Sequence, residues 1–316
     1  MNRIVALMGP TAVGKTDVSI ELAKRLDAEI VGCDSMQVYR RMPVLAQQPS
    51  SAQLAQVPHH LIGCIEPTEP FSVGEYQRLA RETIASIQRR GKTALLVGGT
   101  GLYLRALTNG LCRAPSASSS VRQAILRAIE QEGCEAMYQR LQRIDEPAAA
   151  RIRPHDTRRI VRALEVYELT GKPLSSFWQR PEGGGLSIAV MGIERSREIL
   201  YDRINRRVWQ MLDREQVLEE AVTIAQLPLS DTAQQVHGLR FLLDYAAGTL
   251  ERDEMVRLWQ QQVRQYAKRQ MTWFRAEPGV RWLEVAEEEA AGVVADRLAR
   301  SLEQESWTTT SPRWST

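Results

Sequence analysis

A short stretch near the start, Met8-Gly-Pro-Thr-Ala-Val-Gly-Lys-Thr16, limits what this chain can fold into. It follows an apolar run, Ile4-Val5-Ala6-Leu7, that reads as a buried strand. It precedes Asp17 to Arg25, which reads as an amphipathic helix with Val18, Leu22 and Ala23 on one side. Gly9, Gly14, Lys15 and Thr16 fit the spacing G-x-x-x-x-G-K-[ST], with Pro10, Thr11, Ala12 and Val13 between the glycines. Glycines let backbone N–H groups curl around a phosphate, and the helix start adds its positive dipole end. Lys15 supplies a mobile cation, and the Thr16 hydroxyl can reach a bound Mg²⁺. The pattern specifies a bound phosphate chain, but not a nucleotide.

The rest of the composition narrows the class. The chain has 316 residues, 43% hydrophobic and 25% charged, which is ordinary for a globular protein. Net charge is only +3, so a nucleic-acid surface has to come from local clustering. The sequence shows neither a long apolar run nor a secretion signal, so a cytoplasmic protein without a membrane span is expected. The cysteines, Cys33, Cys64, Cys112 and Cys134, form no C-x-x-C pair and read as free thiols in a reducing compartment.

A second strand, Glu29-Ile-Val-Gly-Cys-Asp34, ends in an acid and leads into a loop, Ser35-Met-Gln-Val-Tyr39. Ligands of parallel sheets sit beyond the carboxyl ends of strands, so Asp34 and Ser35 are expected near the phosphate loop. Asp34 can also be a plain turn or cap acid. Residues 40–64 read as loop, and His59-His60, without carboxylate partners, as loop packing rather than a metal site. Ser72 and Glu75 have the spacing of a capping box for a helix that Gly91 stops.

Thr93-Ala-Leu-Leu-Val97 is the next strand. It runs into Gly98-Gly99-Thr100-Gly101 with no terminal acid, which suggests a second phosphate-facing backbone loop. From Val121 to about Gly171 the pattern is helical only. Asp156 is expected as an N-cap and Gly171 as a stop, with Arg158, Arg159 and Arg162 between them. Arginines in a first turn oppose the helix dipole, so either a phosphate ligand or a solvated charged face accounts for them. Pro181 to Gly185 reads as a flexible joint before another apolar strand, Leu186 to Ile193. Arg203 and Arg207 then share a helix face, placed to meet a leaving diphosphate or to pair with Asp202 and Glu198. The expected architecture is α/β: a parallel-sheet core at 1–118 and 187–316, with an all-helical insertion at 119–186.

Arg257 to Arg275 holds five basic residues and no acid. Arg257, Arg264, Lys268 and Arg275 form one stripe, and Trp259, Tyr266 and Trp273 recur on the other side. The aromatic stripe is expected in the core. The basic one, unbalanced by acids, favours a polyanion. Past Glu303 the chain is rich in Ser and Thr and is expected to fray.

Together these pieces resemble the tRNA dimethylallyltransferase (tRNA isopentenyltransferase, IPP transferase) family. The matching stretches are Gly9–Thr16, Asp34-Ser35 with Gln37-Val-Tyr39, Val57-Pro-His-His60 and Val97-Gly-Gly-Thr-Gly-Leu-Tyr103. Further on are Arg153-Pro-His-Asp156 with Arg159, Ala163-Leu-Glu-Val166, and Lys268-Arg-Gln-Met-Thr-Trp-Phe-Arg275. The resemblance implies a P-loop NTPase-like core that holds dimethylallyl diphosphate rather than ATP. It implies prenyl transfer to N6 of the adenosine 3′ of the anticodon, in tRNAs reading codons that begin with U. Asp34 is then the proton acceptor, and Thr100 and Arg207 join the P-loop in stabilising the diphosphate. Mg²⁺ sits at Thr16. The RNA is met by Asp34, Ser35, Met36, Gln37, Thr100, Arg122, Arg158, Arg159, Arg162, His237, Arg240, Lys268, Arg269 and Arg275. A monomer is expected. Two stretches depart from the family pattern. Met42-Pro-Val-Leu-Ala-Gln-Gln-Pro49 lacks the usual Asp, Gly and Lys, and Val236-His-Gly-Leu-Arg240 replaces a usual Ile-Gly-Tyr-Lys/Arg. An ATP-dependent kinase, a transferase acting on free AMP, and a non-enzymatic RNA-binding protein are the competing readings.

Overall fold

The structure, a computed structural model, describes residues 3–112, 114–115, 117–178, 185–213 and 216–304. The chain divides into two compact units, residues 1–109 with 185–316, and residues 110–184.

The larger unit is built on a sheet of six strands: β1 (Ile4–Met8), β2 (Ala28–Gly32), β3 (His59–His60), β4 (Thr93–Gly98), β5 (Ala189–Glu194) and β6 (Arg281–Glu284). Their spatial order is β3-β2-β4-β1-β5-β6, and every pairing is parallel. A parallel sheet is covered on both faces, so its central strands read as apolar runs rather than alternations. Ile-Val-Ala-Leu-Met of β1 and Thr-Ala-Leu-Leu-Val-Gly of β4 have that character. The helices packed on it are α1 (Lys15–Arg25), α3 (Val73–Arg89) and α4 (Gly101–Thr108), and the single-turn α2 (Ser51–Leu54) between β2 and β3 buries no residue. The smaller unit contributes α5 (Ser119–Glu132), α6 (Cys134–Ile144), α7 (Glu146–Ala149) and α8 (Thr157–Thr170). Back in the larger unit come α9 (Arg197–Leu212), α10 (Gln216–Ala225), α11 (Leu239–Ala246), α12 (Arg252–Ala276) and α13 (Ala291–Glu303).

Helix α12 is 25 residues long and buries Met255, Val256, Trp259, Val263, Ala267, Gln270 and Phe274. These recur at three- and four-residue steps, so one stripe faces the core. Gln270 is the polar member of that stripe.

Several local expectations need correction. His59-His60 is a short edge strand rather than loop: it pairs with Ile30 and Val31 of β2. His60 does have a carboxylate partner, since its Nε2 lies 2.8 Å from the buried Glu29, which also accepts from Arg90 at 2.5 Å. Ser72 caps α3 by accepting from Glu75 N–H at 3.1 Å, but the Glu75 carboxylate turns to Arg78 at 2.5 Å, so the reciprocal half of the box is not made. Strand β6 and helix α13 carry no strong sequence signal. The tail that the sequence expects to fray and most of the joint at 181–185 lie outside the described residues.

The smaller unit has its own core, with Ile125, Met137, Leu141, Ile160 and Leu164 packed together. Asp156 caps α8 by accepting from Arg159 N–H, and Gly171 ends it at φ 67°. Glu165 is fully buried in this helix. It accepts from Ser118 N–H at 3.0 Å, from Arg162 at 2.8 Å and from Arg122 at 3.3 Å. Arg162 also donates to Pro115 C=O at 2.6 Å. The polar lead-in before α5 is thereby tied to the helices, which is why the unit starts at 110 rather than 119. Arg122 and Arg162, expected on the RNA face, are occupied in neutralising a buried carboxylate, whereas Arg158 and Arg159 are exposed. Replacing Glu165 by Ala strands two guanidinium groups, both partly solvated, and one N–H. It should cost about 2–3 kcal/mol of stability, read from the urea midpoint, with Glu165→Gln costing less. Equal midpoints for Glu165→Ala and wild type would contradict this role.

Candidate active site

The P-loop leaves the end of β1 and enters α1 at Lys15, with Gly14 at φ 108° before it. That left-handed conformation is costly for a residue with a Cβ. The loop is held by side chains from elements far away in sequence. Arg203 on α9 donates Nε–H to Ala12 C=O at 2.9 Å, and Arg195, just after β5, donates Nε–H to Val13 C=O at 3.0 Å. In a trans peptide the C=O and N–H point in opposite directions. Turning those carbonyls to the arginines therefore turns the N–H groups of Val13 and Gly14 to the opposite side, as an anion-binding nest requires. Gln270 on α12 accepts from Thr11 N–H at 2.9 Å and donates to Gly99 C=O at 2.9 Å. One amide therefore joins the ends of β1 and β4.

Lys15 donates Nζ–H to Gly9 C=O at 2.9 Å and Pro10 C=O at 2.7 Å. Burial pushes its ammonium down to about 8; Asp34 opposes that shift and Arg207 adds to it.

The acid at the end of β2 is fixed by its own loop. Asp34 Oδ1 accepts from Met36 N–H at 2.9 Å and Gln37 N–H at 3.4 Å. Its Oδ2 has no partner among the described residues. The Thr100 hydroxyl accepts from Ser35 N–H at 3.0 Å, and Thr100 N–H donates to Cys33 C=O at 3.2 Å. The ends of β2 and β4 are thus knitted beside each other. Packing alone already favours glycine after β4: a Cβ on Gly99 would lie 2.1 Å from Gln270 Nε2, while Gly98 lines the adjoining cavity.

A cavity of about 380 Å³ opens here. Thr11, Ala12, Gly14, Lys15 and Thr16 wall one part of it, Arg203 and Arg207 another, and Asp34, Met36, Gln37, His237, Tyr266 and Gln270 the rest. Its charged lining is Lys15, Arg203, Arg206 and Arg207 against Asp17 and Asp34, an excess of cations suited to a diphosphate. The segment that departs from the family pattern, 42–49, supplies Leu45, Ala46, Gln47 and Gln48 to the same wall. It is anchored by the Glu220 carboxylate, which accepts from Val44 N–H at 3.1 Å and Leu45 N–H at 2.8 Å. Gln37 reaches Gln47 C=O at 2.8 Å, and Gln48 reaches Gln37 C=O at 2.9 Å.

Other expected residues lie elsewhere. Lys268 and Arg269, with Gln265, Thr272 and Trp273, line a second hollow along α12. The basic stripe is not free of acids: Arg257 pairs with Glu254 at 2.5 Å and Arg275 with Glu194 at 2.8 Å. Arg264 donates to Asn205 at 2.5 Å. Arg240 is exposed on α11, 3.8 Å from Asp244. In the expected aromatic core stripe, only Trp259 is fully buried. Tyr266 walls the cavity, and Trp273 lies under the Arg105 guanidinium at 4.5 Å. Asp202 pairs with Arg206 at 2.6 Å, which leaves Arg203 for the P-loop. Arg195 carries no signal in the sequence, and Gln270 is marked only as part of the Lys268–Arg275 block of the resemblance, because no local pattern identifies a residue whose partner is a distant backbone.

Fold and cavity define a P-loop-like α/β protein with a cation-walled cavity beside a carboxylate. A family model described as IPP transferase matches residues 37–277, and one described as isopentenyl transferase matches residues 2–62. The chain is 42% identical over 290 residues to a tRNA dimethylallyltransferase of Koribacter versatilis, covering 91% of this chain and 94% of the other. It is 41% identical to one of Geobacillus thermodenitrificans, covering 94% and 95%. Among solved structures, the full-length tRNA isopentenylpyrophosphate transferase of Bacillus halodurans superposes with TM-score 0.68 at 36% identity, covering 96% of this chain and 97% of the other. A eukaryotic dimethylallyltransferase acting on tRNA superposes with TM-score 0.81 at 26% identity, covering 96% and 79%. The chain belongs to the IPP transferase family.

Lys15 gives a pH test with opposite signs for binding and stability. Its folded value of about 8 lies below the ordinary 10.5. Between these values the unfolded chain holds the proton and the folded one does not, so the Lys15 contribution to stability rises with pH there. Diphosphate binding requires the charge, so affinity for inorganic diphosphate should fall by about fivefold between roughly pH 8 and 9. Calorimetric titration should show this fall in wild type and not in Lys15→Met. A fall of equal size in both proteins would remove Lys15 from the cause.

Proposed function

We propose that this protein transfers the dimethylallyl group of dimethylallyl diphosphate to N6 of the adenosine 3′-adjacent to the anticodon, in tRNAs reading codons that begin with U. The observation that carries the reading is the pairing, in one cavity, of a cation-walled P-loop with the half-tethered Asp34 carboxylate. As the amine nitrogen attacks the allylic carbon, the C–N bond forms, the C–O bond to diphosphate breaks, and the amine must shed a proton. Asp34 Oδ1 is held by its loop, and Oδ2 accepts that proton. The departing charge is met by Lys15, Arg203, Arg207 and the N–H groups of Val13 and Gly14. Comparable donors contribute about 2.7–4 kcal/mol each in a transition state. Thr100 acts by holding Ser35, and so the Asp34 loop, in place.

Thr16 lines the cavity and would hold Mg²⁺. Among the described residues no cluster of His, Cys, Asp or Glu could hold a metal alone. That suits an ion bound mainly through substrate phosphates. It would supply Lewis-acid stabilisation of the leaving oxygens.

The target base must leave its stack to reach Asp34. Lys268 and Arg269 along α12, with Arg158 and Arg159 of the smaller unit, meet the RNA phosphates in this reading; Arg122, Arg162 and Arg275 are the weaker candidates because buried or neighbouring acids hold them. Ser35, Met36, Gln37 and His237 serve the base, and Arg240 a phosphate. The enzyme acts as a monomer in the cytoplasm. Among the described residues no helix is long and apolar enough to cross a membrane.

Incubation with labelled dimethylallyl diphosphate, Mg²⁺ and unmodified tRNA, with AMP and ATP in parallel, tests the reading. Label should enter tRNA only. Label in AMP, or phosphate released from ATP without prenyl transfer, would overturn it. Asp34→Ala should cut turnover by about 10²–10⁴-fold while tRNA still binds; near-normal turnover would remove Asp34 from the mechanism. Lys268→Ala with Arg269→Ala should weaken tRNA binding and lower its salt slope by about 0.7–0.9 for each phosphate no longer neutralised. An unchanged slope would place both side chains off the RNA.

A further inference from the structure

The proton transfer and diphosphate departure leave His237 with no defined part. It walls the cavity with Asp34 and Tyr266. Its ring lies 4.4 Å from the Tyr266 ring, centroid to centroid, with 53° between the planes. Its Nδ1 is sealed from solvent and has no hydrogen-bond partner among the described residues. The orphan nitrogen fixes the chemistry of the other one. Burial pushes the imidazole down to about 4 against the upward pull of Asp34, and Arg269 adds to the push, so the ring is neutral at physiological pH. A neutral imidazole has one N–H. A buried N–H without a partner is rarer than a bare acceptor, so the proton belongs on Nε2 and the lone pair on Nδ1. That leaves Nε2–H as the donor available to the cavity.

Lys15, Arg203 and Arg207 already serve the phosphate side. At Asp34 the ligand is the adenine edge that carries the reacting amine. That amine is flanked by two ring nitrogens, N1 and N7, each with a lone pair. We infer that His237 is a specificity-determining residue whose Nε2–H donates to one of these flanking ring nitrogens of the flipped adenine. Ring nitrogens of adenine are better nucleophiles than its exocyclic amine. A donor seated on one of them masks its lone pair and holds the amine beside Asp34.

The inference rests on the prenyl-transfer reading, and the test separates the two. Anticodon stem-loop RNAs would carry adenosine, 1-deazaadenosine or 7-deazaadenosine at the target position. Each would be assayed with wild type, His237→Phe and His237→Gln. Phe keeps the ring packed on Tyr266 without a donor, and Gln restores an N–H. On adenosine, His237→Phe should lose about 3–10-fold in kcat/KM, and His237→Gln should recover part of it. On one deaza analogue the difference between wild type and His237→Phe should vanish, and that analogue identifies the nitrogen. If His237→Phe loses the same factor on all three RNAs, or loses nothing on adenosine, the inference is overturned. Absence of transfer by wild type to the adenosine RNA would instead remove the transferase reading.

Discussion

The side-chain amide of Gln270 joins three elements that the chain order keeps far apart. It accepts from Thr11 N–H in the P-loop, donates to Gly99 C=O after β4, and is itself carried by α12. A buried amide without partners would cost about 1–3 kcal/mol for each polar group left bare. The geometry that satisfies it therefore sets the spacing of β1, β4 and α12. A Cβ on Gly99 would meet Nε2 at 2.1 Å, so a larger residue there would push the Gln270 amide off these partners. The position of Thr100, and through Ser35 that of Asp34, follows from the same hydrogen bonds.

Two arginines complete the arrangement from the other side. Arg195 and Arg203 hold consecutive P-loop carbonyls, and Arg195 also reaches Glu287 C=O at 3.2 Å, beyond β6. The last strand of the sheet is in this way linked to the first loop of the chain. Catalysis by preorganised dipoles depends on donors that do not reorient during the reaction. Here the orientation is set by hydrogen bonds within the protein. Helix α12 carries Gln270 on its buried stripe and Lys268 and Arg269 on its exposed side. The P-loop and the hollow lined by Lys268 and Arg269 therefore share one rigid element.

How much of this is legible in the sequence differs by residue. The P-loop, the apolar strands β1, β2 and β4 and the caps at Ser72 and Asp156 are local patterns, and the structure reproduces them. Edge strands β3 and β6 bury little, so they carry no apolar run to read. Helical periodicity groups Tyr266 with Trp259. However, Tyr266 lies beside the buried stripe of Val263, Ala267 and Gln270 and meets the cavity instead of the core. Arg122 and Arg162 look free in the sequence because the burial of Glu165 is a tertiary fact. Unpaired charge in a sequence is not unpaired charge in a fold. Gln270 and Arg195 bond to backbone, which no side-chain pattern announces.

The most direct test of this account is the exchange rate of the Thr11 amide hydrogen, followed by NMR in the protein without ligand. If Gln270 holds the loop in its phosphate-binding shape in advance, Thr11 N–H exchanges slowly, with protection comparable to the β1 amides, and loses that protection in Gln270→Leu. Exchange at the rate of an open surface loop in wild type would show that the loop is not held, and that the ligand rather than the protein organises the site.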